Sequence, residues 1–298
     1  MDHVGHDLGP VLVTGASGYL GRRVVAVLAG AGIAYAETSR SSRAGEACDL
    51  TDASATRALL DRIGPSTVIH CAAAVPASPA AYDDHETAAA SVEMTGTVAR
   101  HARCPMVFAS SMTVYGASPT CPADEGSPPE PDSAYARGKL AAEQLVIDRH
   151  AGDTVLRLPG LFGLPRRSGL LYNAAAAFLT GRNFEVAAPA TVWAAMSVAD
   201  AAECLVKAAT TAAAADTRVS PVVNVGYHGE FSVGSAVAQI AALCGVAWHA
   251  TFTPPSFSMR LDRWTSRYGK VPITFERRLA EFVDAVRYEL ALGAGLRP

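Results

Sequence analysis

Apolar residues in the first half of the chain fall into short runs, and between the runs they recur at helical spacing. Val11-Leu-Val-Thr14, Ile33 to Thr38, Thr67-Val-Ile-His-Cys71 and Pro105-Met-Val-Phe-Ala109 read as strands. Gly18 to Ala31, Ala53 to Ile63, Asp84 to His101 and Ser133 to His150 read as helices. Strands that alternate with helices in this way predict right-handed crossovers and a parallel sheet covered on both faces. The expected fold class is therefore α/β with a doubly wound sheet.

The pattern becomes less regular after Val155-Leu-Arg-Leu158. Residues 1–160 are expected to form the doubly wound domain. Residues 161–298 are expected to form a smaller C-terminal substrate lobe, with some segments returning to the first domain. That part holds an alanine-rich helix near Tyr172 to Gly181, a strand Val222-Val-Asn-Val225 followed by a helix from Val233 to Cys244, and an aromatic segment from Trp248 to Tyr268. Proline and glycine crowd Ser118 to Pro131, which predicts an exposed loop.

Composition narrows the choice of function. Of the 298 residues, 50% are hydrophobic and 18% charged, which suits a well-packed globular protein. The net charge of -3 with scattered Lys and Arg gives no field for nucleic acid. Cys48, Cys71, Cys104, Cys121, Cys204 and Cys244 form no CxxC pair, which suits reduced packing thiols. The first ten residues lack the basic start and apolar run of a signal peptide, and no apolar stretch is long enough to cross a bilayer. A cytoplasmic location is expected, with no membrane or nucleic-acid partner.

The first strand ends in Thr14-Gly-Ala-Ser-Gly-Tyr-Leu-Gly21. Gly15, Gly18 and Gly21 permit a tight turn into a helix whose free N–H groups can face a pyrophosphate, the architecture of a Rossmann-like dinucleotide site. The spacing is GxxGxxG rather than GxGxxG, so the turn gains its meaning from its place between strand and helix. Past the second strand comes Ser39-Arg40-Ser41-Ser42-Arg43. Ser39, Arg40 and Arg43 suit the 2′-phosphate of NADP through charge-assisted hydrogen bonds. Glu37 would instead serve NAD, through the ribose 2′-OH, if the strand ended earlier. Asp49 is placed to meet the adenine amino group.

Tyr135 and Lys139 lie four apart on a predicted helix and can face one cleft. An ammonium beside the phenol would stabilise phenolate and lower its pKa, which suits proton transfer at a substrate oxygen. Lys139 would also donate to the nicotinamide ribose. Ser111, at a parallel strand's end, can hydrogen-bond the same oxygen. A lone YxxxK is most often an exposed helical pair; Ser111 and the glycine turn argue against that here. Asp83-Asp84-His85-Glu86 reads as an N-cap and first helical turn rather than a metal site, so no metal is expected. His70 reads as a packed neutral histidine, and no GxSxG elbow supports a hydrolase.

These segments, with Asp49-Leu50, His70-Cys-Ala-Ala73, Ser110-Ser-Met-Thr-Val-Tyr-Gly116, Leu156-Arg-Leu-Pro-Gly-Leu-Phe-Gly163, Ser197-Val-Ala-Asp200 and Asn224-Val-Gly226, resemble the extended short-chain dehydrogenase/reductase family. That family includes nucleotide-sugar epimerases, dehydratases and dTDP-4-keto-sugar reductases, and the similarity runs from about Pro10 to the C-terminus. It implies Ser111, Tyr135 and Lys139 as catalytic residues. It implies that Ser17, Tyr19, Leu20, Leu50, Ala72, Ala73 and Pro159, with Tyr135 and Lys139, join the glycine turn in holding the dinucleotide.

Where dehydratases of this family carry an Asp-Glu pair, the chain has Met112-Thr113, which implies no dehydration. Gly160 and Trp193 replace an Asn and an Arg that hold the substrate diphosphate in 4-epimerases; Arg166, Arg167, Arg182 or Arg260 could substitute. The implied activity is NADP(H)-dependent reduction of a keto sugar, with an NAD-dependent epimerase and a non-catalytic dinucleotide sensor as alternatives. The family also implies a homodimer through Asp84 to His101 and Ser133 to His150, where Ala88 to Ala90 and Ala141-Ala142 allow close approach. The competing expectation is that these alanines pack against the protein's own sheet.

Overall fold

A computed structural model describes residues 9–41, 45–76, 79–117, 121–149, 152–186, 193–211, 221–249 and 256–293. Arg43 lies outside the described residues. The chain divides into two compact units, one of residues 1–114, 131–157 and 202–223 and one of 115–130, 158–201 and 224–298.

The first unit carries most of the predicted alternation. Strands β1 (Val11–Thr14), β2 (Tyr35–Ser39), β3 (Glu46–Ala47), β4 (Thr67–His70), β5 (Met106–Ser111) and β6 (Thr154–Leu158) join β9 (Val222–Asn224) in a sheet of order β3-β2-β1-β4-β5-β6-β9. β1 pairs in parallel with both β2 and β4, and β4 with β5. The order reverses direction between β1 and β4, which makes the carboxyl ends of those strands the topological switch point where open α/β sheets bind ligands. The α/β, Rossmann-like expectation holds.

The helices are α1 (Gly21–Gly30), α2 (Ala53–Ile63), α3 (His85–His101) and α4 (Ala134–Ile147), and the last three begin where their side-chain caps dictate. Asp52 accepts from the Ser54 and Ala55 amides, Asp84 from the Thr87 amide, and Ser133 from the Ala136 amide. The acidic run at residues 83–86 is thus a helix start. α1 begins three residues later than its pattern predicts, because Gly18 N–H turns back to the Gly15 carbonyl at 2.9 Å. β2 begins late for a similar reason: Ile33 N–H closes on the Leu28 carbonyl through a left-handed Gly32. The core joins Leu12, Val68, Met106 and Phe108 of the sheet to Leu59, Leu60, Met94, Val98 and Val146 of the helices.

In the second unit, β7 (Gly160–Phe162) pairs in parallel with β8 (Ala195–Ser197). Helices α5 (Leu170–Leu179), α7 (Val233–Leu243), α8 (Asp262–Tyr268) and α9 (Phe275–Gly293) complete it, while α6 (Val198–Thr211) runs on from β8. Phe162, Trp193, Tyr227 and Phe231 surround the Phe275 ring. Beneath them Asp200 is gripped by Arg278 and by the Tyr227 hydroxyl. Tyr115 donates to Asn224 Oδ1 at 2.7 Å, which fixes the Asn224-Val-Gly226 segment.

The alanines expected at a dimer seam divide between two faces. Ala88 and Ala142 are buried within the chain, and a Cβ at Gly138 would lie 3.2 Å from Ala88 Cβ, so α3 and α4 are in close contact with each other. Ala89 and Ala141 face outward. Ala142 is therefore no seam residue, and a charge there would strike the core. Ala142→Glu should destabilise the fold by on the order of 3 kcal/mol or more, because the carboxylate would be buried without a partner. Thermal unfolding checks this; an unchanged melting temperature with a halved mass would restore the seam.

Candidate active site

The glycine turn is set by close approach. Gly15 has φ of +65°, and a Cβ there would come within 2.7 Å of the Ala72 backbone at the end of β4. A Cβ on Gly21 would lie 2.2 Å from the Gly15 carbonyl oxygen, and one on Gly18 3.0 Å from it. The resulting cradle runs into α1, which has no side-chain cap and no acid in its first turn. A helix start without a side-chain cap and backbone free of Cβ atoms suit a pyrophosphate, so the residues present fit a dinucleotide. Ser17 is exposed and Tyr19 and Leu20 half-buried along this turn.

Ser111, Tyr135 and Lys139 converge within the first unit. The Ser111 hydroxyl hydrogen-bonds to the Tyr135 phenol. Thr113 steadies Ser111 from behind, its amide and hydroxyl both donating to Ser111 Oγ at 3.2 and 3.0 Å. Lys139 Nζ donates to the Ala109 carbonyl at 2.8 Å and lies 5.9 Å from the centre of the Tyr135 ring. Tyr82, on a 3₁₀ turn over Pro79–Asp83, meets that ring edge-on at 5.4 Å. The turn is tied down by Asp83, which accepts from the Ala134 amide at 3.2 Å.

Electrostatics here differ from the expectation that Lys139 lowers the phenol pKa. Burial pushes the Tyr135 phenol well above its ordinary range, Tyr82 adds to that, and the Ser111 hydrogen bond pulls the other way. Burial pushes Lys139 down to about 8, against the pull of Cys71 and Glu143. The physical reason is desolvation: Lys139 is buried and Tyr135 half-buried, and loss of water around each charged form outweighs an ammonium committed to a backbone carbonyl.

At the end of β2 the strand continues through Ser39, which is buried, and Arg40 follows, exposed. Glu37 lies two positions inside the strand, and a Cβ on Gly45 would approach its Cβ to 2.8 Å. The condition for Glu37 to serve as a strand-end acid is not met. Asp49 is exposed and accepts from the Thr51 amide and hydroxyl; these bonds, and then the Arg40 charge, hold its carboxyl below the usual range. Leu50 is buried, and Ala72 and Ala73 are half-buried beyond β4. Pro159 belongs to the second unit.

Comparison with known proteins decides the family. The model of the NAD dependent epimerase/dehydratase family matches residues 11–226. The chain belongs to this family. It is 34% identical over 158 residues to a dTDP-4-keto-6-deoxy-D-glucose reductase of Streptomyces niveus, covering 51% of this chain and 52% of that protein. It is 31% identical over 171 residues to methionine adenosyltransferase 2 subunit beta of Bos taurus, covering 51% and 47%. The chain thus spans about half the length of the curated relatives it matches. Among solved structures, MoeE5 in complex with UDP-glucose and NAD is 25% identical with a TM-score of 0.78, over 95% of this chain and 100% of that one. The UDP-glucose 4-epimerase of Thermus thermophilus shares the fold at 21% identity and a TM-score of 0.75, over 93% and 99%.

After Ser111 this member of the epimerase/dehydratase family carries Met112 and Thr113. Met112 is buried and the Thr113 hydroxyl is bound to Ser111, so neither presents an acid or base. Sequence reasoning missed a buried cluster behind the site, in which Glu143 accepts from Ser110 Oγ at 2.5 Å and from Arg157 Nη2 at 2.7 Å. Its only sequence signal was the i+4 spacing from Lys139. Tyr82 was missed as well, since a 3₁₀ turn has no apolar period to reveal it.

His70 is buried between Thr14 Oγ1 at 2.8 Å and Thr95 Oγ1 at 3.1 Å, the packed neutral histidine expected. Burial, and then the Lys139 charge, push it from 6.5 to about 3. The unfolded chain therefore binds more protons than the folded one between those values, and stability falls as pH drops through that window. Melting temperature should decline from pH 7 to 4, and His70→Gln should flatten that slope. Identical slopes in both proteins would count against a neutral His70.

Proposed function

We propose that the protein is an NADP(H)-dependent ketoreductase acting on a keto sugar, nucleotide-linked, by Tyr135-assisted hydride transfer. The observation that carries this reading is the Ser111–Tyr135 pair beside Lys139, with buried Met112 where a second acid or base would be needed for elimination. When bound, the nicotinamide supplies the hydride. Ser111 and Tyr135 hold the substrate carbonyl oxygen, and Tyr135, kept protonated by burial, gives its proton to that oxygen as negative charge develops. Lys139 orients the nicotinamide ribose and sets the local charge. The dTDP-4-keto-6-deoxy-D-glucose reductase similarity supports this substrate class.

Removing only the phenol oxygen with Tyr135→Phe should lower kcat ~10²–10⁴-fold while NADPH affinity stays nearly unchanged. The assay follows NADPH oxidation with dTDP-4-keto-6-deoxy-D-glucose as the probe ketone. A variant retaining most of the wild-type turnover would overturn the role of Tyr135. Tightly held NAD that copurifies, with C4 inversion of UDP-glucose and no net oxidation of cofactor, would replace the reductase by an epimerase, the reading that the family match supports. Cofactor binding without turnover of either probe would favour a dinucleotide sensor.

The preference for NADP rests on Ser39 and Arg40 at the end of β2, with Glu37 inside the strand. Arg40→Ala should weaken NADPH ~10-fold or more and NADH little, since a charge-assisted hydrogen bond to the 2′-phosphate is lost. Calorimetric titration of both cofactors checks it, and equal weakening refutes the phosphate contact. Association of two copies through the outer faces of α3 and α4, where Ala89, Ala141 and Leu145 are exposed, belongs to the same reading and is tested by light scattering.

A further inference from the structure

Tyr135, Lys139 and Glu143 occupy positions i, i+4 and i+8 of α4 and so share one face. That face meets the last three residues of β5 one by one. Lys139 Nζ donates to the Ala109 carbonyl at 2.8 Å, Ser110 Oγ donates to Glu143 Oε1 at 2.5 Å, and Ser111 hydrogen-bonds to Tyr135. From β6, Arg157 grips the same carboxylate with Nε 3.0 Å from Oε1 and Nη2 2.7 Å from Oε2. Ser110, Glu143 and Arg157 are all buried. A buried ion pair is weak as a stabilising device, because desolvation of both charges offsets their attraction. Its place one helical turn behind Lys139 calls for another explanation.

We propose that Glu143 is a positioning residue for the proton chemistry of Tyr135 and Lys139: held by Arg157, its carboxylate fixes the end of β5 through Ser110 and supplies the counter-charge to the Lys139 ammonium. The proposal rests on the reading that Ser111, Tyr135 and Lys139 carry the proton transfer. The other groups facing Lys139 do not supply that charge at neutral pH. From β4, His70 is neutral, and the Cys71 thiol is pushed up to about 12 by burial. From β5 come the Phe108 ring, 4.9 Å away, and the Ala109 carbonyl. From α4, Tyr135 is a protonated phenol, with Tyr82 beyond it and Arg157 behind Glu143. Glu143 is the carboxylate that opposes the effect of burial on Lys139.

Glu143→Gln keeps an acceptor for Ser110 and removes the charge. The chain has three lysines, Lys139, Lys207 and Lys270, so NMR of the full-length protein carrying ε-¹³C-lysine can follow each through pH, with Lys139→Arg giving the assignment. In the wild type Lys139 should titrate near 8. In Glu143→Gln its midpoint should fall by ~1 unit or more, while Lys207 and Lys270 stay in place. An unchanged midpoint in a folded variant overturns the proposal. Should Glu143→Gln fail to fold, Glu143→Gln/Arg157→Gln, which leaves no lone buried charge, is read in the same way; collapse of both assigns the pair to stability and also overturns it.

With NADPH and dTDP-4-keto-6-deoxy-D-glucose, kcat of Glu143→Gln should fall ~10-fold relative to wild type at pH 8 and much less at pH 6, where Lys139 stays protonated. An equal loss at both pH values denies the counter-charge. Failure of the wild type to reduce this ketone counts against the substrate reading alone, because the lysine titration decides the role of Glu143 without turnover.

Discussion

His70, Cys71, Tyr135 and Lys139 lie at or beneath the carboxyl edge of the parallel sheet, and burial pushes each toward its neutral form. Desolvation of these groups, complete for His70 and partial for Cys71 and Tyr135, is the constraint from which the rest of the site follows. A phenol in such a place keeps its proton at neutral pH and can give it up only to a strong base generated at its own oxygen, which suits an alkoxide forming on a carbonyl. The lysine cannot hold its charge there without help, so its environment must supply a carbonyl acceptor and a nearby anion. Ala109 and Glu143 supply these from opposite sides of the β5–α4 contact.

A second constraint acts at the switch point of the sheet. β1 and β4 run side by side, and the chain leaves β1 through a left-handed glycine pressed against the backbone of Ala72. Any side chain at Gly15 or Gly21 would displace backbone rather than a flexible side-chain end, so the turn is fixed by sterics as much as by ligand chemistry. The same geometry leaves the start of α1 without a side-chain cap. Thr14 extends the arrangement inward: its hydroxyl meets His70, and His70 meets Thr95 on α3, which joins the floor of the glycine turn to the helix packed against α4.

In the second unit the aromatic rings around Phe275 and the Asp200–Arg278–Tyr227 cluster hold short β7 and β8 segments and the helices that follow. These elements have three residues per strand or an even scatter of alanine, and a period of two or of 3.6 residues leaves little trace over such lengths. Their chemistry is correspondingly less legible. Trp193 packs on Phe275, a contact between residues far apart in sequence.

What the sequence determined by itself was local or periodic. Hydrophobic runs set the order of strands and helices, Asp52, Asp84 and Ser133 set the helix starts, and the glycine turn and the Tyr135–Lys139 spacing pointed to a dinucleotide fold with its candidate chemistry. Only the tertiary structure decided that Ala142 faces the core, that β2 begins at Tyr35 and runs to Ser39, and that Ser110, Glu143 and Arg157 meet behind Lys139. It also reversed the expected direction of the Tyr135 shift. Spacing along one helix brings an ammonium near a phenol, but desolvation depends on every element packed around them, and that information is carried by no single segment of the chain.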